Sequence, residues 1–264
     1  MALLLVRTAL RAHAGPWVRC ASGYSAQCPP PQYDTGCTYC EPEYPESHPI
    51  DLERGLANTA VFHHRHIVVA TGTAEWPSRI ESTPGSLVNE LKKMRTRAQL
   101  ADYPVLVTNA TLPDAGPDEF SVFVYPDAVH LPRLHRSQLP AFADAFLGDG
   151  RPLPADIEVA PAPAIVGVCG HGARDLRCGL AAPILEAEFR ASLEREPGPD
   201  VHVCSLSHVG GHKFAGNVVC FGPDGGTVWY GRVRTRDVQG IVRETVRGGR
   251  VIDDIHRGGL APGK

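Results

Sequence analysis

Apolar positions along the chain follow two rhythms, and the two alternate. HIVVATG (66–72), PVLVTN (104–109) and FSVFVYP (120–126) are short β-branched or aromatic runs bounded by Gly, Pro or Asn, a pattern that predicts strands. SLVNELKKMRTRAQL (86–100) repeats Leu87, Leu91 and Met94 at helical spacing, and RSQLPAFADAFL (136–147) predicts a second helix with Pro140 near its first turn. The same order returns downstream. AIVGVCG (164–170) predicts a strand, and LAAPILEAEFRASLERE (180–196) a helix with Ile184, Leu185, Phe189 and Leu193 on one side. VHVCSL (201–206), GNVVCFG (216–222) and TVWYGRV (227–233) follow as strands, and DVQGIVRETV (237–246) as a closing helix stopped at Gly248 and Gly249.

Laid side by side, the halves suggest a duplication. VVATGTAEWPSRIE parallels VGVCGHGARDLRCG, and LVTNATLP with FSVFVYPD parallels VCSLSHVGGH with NVVCFGPD. Each half reads strand–helix–strand–strand–helix, the order of a thioredoxin-like unit. The expected fold class is therefore α/β, with two tandem thioredoxin-like units: 61–150, in which the ligand positions described below have no counterpart, and 164–264, which carries them. Residues 151–163 are Pro-rich and predict a linker or an extended edge segment. Residues 28–60 are Cys- and Pro-rich and predict no regular element.

Residues 1–27 hold Arg7, Arg11 and Arg19, and the first acidic residue is Asp34. An Arg-rich, acid-free start with a potential apolar helical face predicts a mitochondrial presequence, and so a mitochondrial address in matrix or intermembrane space. The formal net charge of −3 gives no basic field for nucleic acid, and no apolar run reaches the length of a membrane span, so neither nucleic acid nor membrane insertion is expected. No Ser–His–Asp arrangement, paired-carboxylate motif or phosphate loop stands out; GTAEWPSR and GGLAPGK lack P-loop spacing.

The chemistry gathers in two Gly-rich segments. C169-GHGARDLR-C178 is a C-x8-C loop between a strand and a helix, and H208-VGG-H212 is an H-x3-H whose two glycines argue for a loop. Placed just before the helix, Cys178 would gain from the unpaired N–H groups there, which favour a thiolate. Two thiolates and two imidazoles admit either Zn²⁺ or a [2Fe–2S] cluster ligated in pairs. The wide C-x8-C loop suits a two-iron centre better than a zinc knuckle, but spacing alone leaves both open. His171, Arg174, Asp175, Arg177, Lys213 and Asn217 stand where they would surround such a centre.

CGHGARDLRCG with HVGGHKFAGNVV and TVWYGRV resembles the sucrase/ferredoxin-like family, over about residues 35–260. The resemblance implies a thioredoxin-like ferredoxin domain at the C-terminal side. It implies a [2Fe–2S] cluster with Cys169 and Cys178 on one iron and His208 and His212 on the other, in a branch where histidines replace the second cysteine pair. The implied function is electron transfer to or from a protein redox partner, with Zn-stabilised binding or adaptor activity as the alternative. Imidazole ligands would raise the potential above that of an all-cysteine ferredoxin and couple it to protons.

Of the remaining cysteines, Cys204 and Cys220 lie in apolar strand runs and are expected in the core. Cys28, Cys37 and Cys40, with His48 downstream, form a candidate redox pair or second metal site.

Overall fold

The computed structural model describes residues 23–94, 103–148 and 150–262. Arg7, Arg11, Arg19 and Cys20, and the part of the predicted helix 86–100 beyond Met94, lie outside the described residues. Strand β1 (Tyr24–Ser25) precedes a long irregular stretch, then β2 (Arg65–Ala70), helix α1 (Leu87–Met94), β3 (Val105–Ala110), β4 (Glu119–Tyr125), β5 (Val129–His135) and α2 (Leu139–Phe146). After β6 (Ala160–Pro161) the pattern repeats as β7 (Ala164–Cys169), α3 (Leu176–Arg195), β8 (Val201–Leu206), β9 (Val218–Phe221), β10 (Thr227–Tyr230) and α4 (Thr235–Ile241). The short β11 (Val251–Ile252) and β12 (His256–Leu260) close the chain.

Among the described residues ten strands form one mixed sheet in the order β12-β10-β9-β7-β8-β3-β2-β4-β5-β6. The duplication is visible in that order. In the first half β2 runs parallel to β3 and antiparallel to β4, which pairs with β5. In the second, β7 runs parallel to β8 and antiparallel to β9, which pairs with β10. The architecture is a mixed α/β fold with a large mixed sheet, consistent with a thioredoxin-like fold.

The halves meet edge to edge at β3 and β8, where one antiparallel pair, Ala110 with Leu206, continues the sheet. They also meet face to face. Alternation along β2 sends Ile67 and Val69 toward α1 and α2, and Val68 and Ala70 to the opposite side. In β7, Val166 and Val168 pack under α3 and α4, whereas Ile165 and Cys169 point away. The two helix-free faces share one core, with Tyr125 against Phe221 at 4.7 Å between ring centres and His66 against Trp229 at 5.7 Å. The sheet thus bends at the β3–β8 seam, and helices cover its outer faces.

Three differences from the sequence reading have local causes. Strand β5, VHLPRLH, is hidden by Pro132 and by polar residues; it pairs with β4 across a bulge at Ser121, where Pro132 loses no ladder bond. The Pro-rich 151–163 stretch takes the edge-segment form, since Ala160–Pro161 pair with Val129 and His130. Tyr24 and Ser25, assigned by composition to the 1–27 leader, pair in parallel with Val251 and Ile252, and Ser25 Oγ donates to Glu244 at 2.6 Å. The folded body therefore begins before residue 27.

Residues 28–60 contain no regular element, as expected, but are not loose. Fully buried Glu188 on α3 accepts from Thr38 Oγ1 at 3.0 Å and from Thr35, and Gln239 on α4 binds the backbone of Gln32 and Tyr33. This strap satisfies its backbone through helix side chains instead of a ladder.

At the seam Leu206 is fully buried and fills the space left by Gly167, where a Cβ would lie 2.7 Å from Leu206 Cγ. Leu206→Ala should destabilise the protein by about 2–5 kcal/mol, the range for a buried leucine whose cavity does not collapse. Urea unfolding followed by tryptophan fluorescence measures this as a lowered midpoint.

Candidate metal centre

Parallel pairing of β7 with β8 sets Cys169 opposite Leu206. Cys169 is the last residue of its strand, and His208 lies two residues beyond the end of the neighbouring one, so both emerge at the same sheet end. The chain after Cys169 turns tightly, with His171 O accepting from Arg174 and Asp175 N–H, both at 3.0 Å. Asp175 then caps α3, its carboxylate accepting the Arg177 N–H at 3.1 Å. Cys178 is consequently the third residue of the helix and not, as expected, the residue before it; the cap precedes the apolar periodicity by several positions. The helix end still presents its N–H groups to this side. Gly179 lets the loop close on the helix, since a Cβ there would lie 2.7 Å from Gly172 Cα.

The histidine loop turns through Gly210 (φ +83°) and Gly211 (φ +72°), and His212 opens a single tight turn to Phe214. At Gly211 a side chain is excluded twice: the backbone is left-handed, and a Cβ would collide with the Arg257 guanidinium. This turn brings the two imidazoles together, 5.5 Å between centres and inclined by 32°.

Cys169 and Cys178 are buried and free of any disulfide. Interaction with the Cys178 thiol as donor is the largest effect on Cys169 and holds it well below the ordinary thiol range; burial opposes this, and the His208 ring and Val209 N–H reinforce it. The same interaction, with burial, pushes Cys178 up. Nδ1 of His208 and Nδ1 of His212 are both buried without a hydrogen-bond partner. Burial lowers His212, partly offset by Asp175, whose carboxylate stands 3.9 Å from His212 Nε2. The site thus brings two thiols close to two imidazoles whose Nδ1 atoms lack partners. Among the described residues no three His, Cys, Asp or Glu side chains are close enough to hold one metal ion as they stand.

The surrounding residues divide by role. His171 is engaged at both nitrogens: Nδ1 accepts the His208 N–H at 3.1 Å and Nε2 donates to Pro77 O at 3.0 Å, which fixes its tautomer and withholds it from a metal. Asp175 and Arg177 form a two-pronged ion pair at 2.9 Å, and Arg177 also donates to Pro49 O, tying the strap to the cap. Lys213 reaches Asp51 at 2.6 Å on the same strap. Asn217 bridges the two loops, its carbonyl accepting the Cys169 N–H at 2.9 Å and its amide donating to Gly211 O at 3.0 Å. The Arg174 side chain is exposed. Sequence reasoning missed Arg257, which lies distant in sequence and carries no motif; its only signal is an arginine inside the otherwise glycine-rich HRGGL.

Elsewhere, Cys37 and Cys40 face each other across a turn closed by Cys40 N–H to Cys37 O at 3.0 Å, and the hydrogen bond to Cys40 pushes Cys37 up to about 11. Cys28 is held separately: its thiol donates to Asp237 O at 3.3 Å and packs against Gly240, and burial pushes it up to about 12. The three do not gather into a metal group. Cys204 and Cys220 are buried in the two cores.

Residues 56–258, a span containing all four candidate ligands, match the family described as sucrase/ferredoxin-like. A protein of Meyerozyma guilliermondii named "Altered inheritance of mitochondria protein 32" is 36% identical over 91% of this chain and 96% of its own length. Proteins with the same name in Clavispora lusitaniae and Debaryomyces hansenii are 36% and 34% identical, each over 91% of this chain and 97% of the relative. No solved structure matches the chain. The chain belongs to the sucrase/ferredoxin-like family.

Proposed function

We propose that this protein is a one-electron carrier holding a [2Fe–2S] cluster, with Cys169 and Cys178 ligating one iron and His208 and His212 the other. The observation that carries the reading is the meeting of two facing thiols with two imidazoles whose buried Nδ1 atoms lack partners. Buried nitrogens are seldom left unsatisfied, and a metal satisfies them. Two thiols and two imidazoles are a donor set that a [2Fe–2S] centre ligated in pairs takes, and the family resemblance favours that centre over a single zinc ion. A bound [2Fe–2S] centre supplies reversible uptake of one electron.

The residues around it would do three things. Thiolates on one side and neutral imidazoles on the other leave less negative charge than four thiolates, which raises the potential. The α3 N-terminus and the Val209 N–H stabilise sulfur-borne charge. His212, with 45% of its side chain exposed, keeps Nε2 toward Asp175 and water, where a proton can be gained on reduction and lost on oxidation. The electron would pass to or from a protein partner. A mitochondrial setting, matrix or intermembrane space, is supported by the Arg-rich start and by the printed name of the relatives.

Anaerobically purified protein should be brown, absorb in the visible and give an EPR signal after reduction; Cys169→Ser or His208→Ala should abolish both. A colourless protein with stoichiometric zinc overturns the reading. Because reduction favours protonation, the midpoint potential should fall as pH rises from neutral to alkaline, by up to about 59 mV per pH unit for one proton per electron. Spectroelectrochemistry at several pH values measures the slope, and a flat line rules out proton coupling. His208→Cys with His212→Cys should lower the potential and shift the optical spectrum.

A further inference from the structure

Arg257 is fully buried, yet among the described residues no carboxylate pairs with it. Its guanidinium donates to four neutral oxygens: Asn217 Oδ1 at 2.6 Å, Gly210 O at 3.2 Å, Thr59 O at 2.7 Å and Thr59 Oγ1 at 3.1 Å. The Phe214 ring lies 5.4 Å from its Cζ. Hydrogen bonds satisfy the N–H groups but leave the charge uncompensated, and burial lowers the guanidinium to about 10. It remains protonated at neutral pH. A buried unpaired cation is costly, and such groups are retained next to an anion. The ionisable groups that act on Arg257 are the thiols of Cys169 and Cys178.

We propose that Arg257 is the buried counter-charge of the centre held by Cys169, Cys178, His208 and His212, raising its reduction potential while holding the histidine turn in place. The inference rests on the cluster reading above. Three contacts place it there. The guanidinium sits against Gly211, donates to the Gly210 carbonyl, and shares Asn217 with the Cys169 backbone. It therefore touches the histidine loop directly and reaches the cysteine strand through Asn217, without offering a ligand, since a guanidinium has no free lone pair. Reduction places one electron on the centre, and a proton that follows it goes to His212 Nε2, not to Arg257, where no bond forms or breaks. A fixed positive charge in a water-poor setting favours the reduced form. Arg257 is in this sense a positioning and tuning residue.

Three variants separate charge from shape. Arg257→Gln removes the charge. Arg257→Lys keeps it. Asn217→Asp leaves the arginine but gives it a carboxylate partner. Midpoint potentials come from dithionite titration of the cluster-loaded full chain at one pH, followed by visible absorbance. The expected result is a lower potential in Arg257→Gln and in Asn217→Asp, with Arg257→Lys close to wild type. If Arg257→Gln does not retain the cluster, Asn217→Asp against Arg257→Lys decides. Unchanged potentials, or a drop in Arg257→Lys equal to that in the neutralised variant, assign Arg257 a purely structural role and overturn the inference. A wild-type protein without visible absorbance overturns the cluster reading, and this inference with it; brown variants with unmoved potentials overturn this inference alone.

Discussion

The parallel register of β7 and β8 is the constraint on which the site depends. With Cys169 opposite Leu206, both strands end at one level, and the loops that follow are forced into the same volume. This is the position that open α/β sheets commonly use for ligands, beyond the carboxyl ends of parallel strands. Slipping the pair by one residue would turn Cys169 toward α3 and move Val168 out of its core. The buried contacts of Val166 and Val168 on one face, and of Ile165 and Cys169 on the other, oppose such a slip. Packing of the second half therefore fixes the chemistry at its end.

Around that end the chain spends polar groups on rigidity. Asp175 caps the helix and holds Arg177, Arg177 holds the strap, and Asn217 joins the cysteine strand to the histidine turn. His171 is locked by bonds at both nitrogens. Each of these groups orients a segment that carries a candidate ligand. The exception in kind is Arg257, whose charge has no partner among the described carboxylates. An unpaired buried charge at the foot of a donor set makes physical sense when the donors carry negative charge.

The first half supports this arrangement through shared burial. It lacks the cysteines and histidines of the second half's loops, yet its helix-free face completes the core beneath them through Phe123, Tyr125 and Val68. Pro77 O, from its β2–α1 connection, also receives the His171 proton. The first half, which repeats the strand order of the second, thus serves as a wall beneath the candidate site. The irregular 28–60 segment is a brace on the other side, bonded to α3 and α4 by Glu188 and Gln239.

The sequence by itself determined the alternation of strands and helices in both halves, because apolar spacing is a local property of the chain. It also singled out Cys169, Cys178, His208 and His212, because soft and borderline donors in glycine-rich loops are legible as residue types. It could not show β5, whose proline and polar residues are tolerated only because of where the strand pairs. Nor could it show that Cys178 lies inside the helix, since the capping bond of Asp175 needs three-dimensional geometry. The separation of Cys28 from Cys37 and Cys40, and the burial of Arg257 against the histidine turn, depend on residues 40 or more positions apart being brought together. Such placements are decided by tertiary packing, because the energy of a buried charge or thiol is set by its neighbours in space and not by its neighbours in the chain.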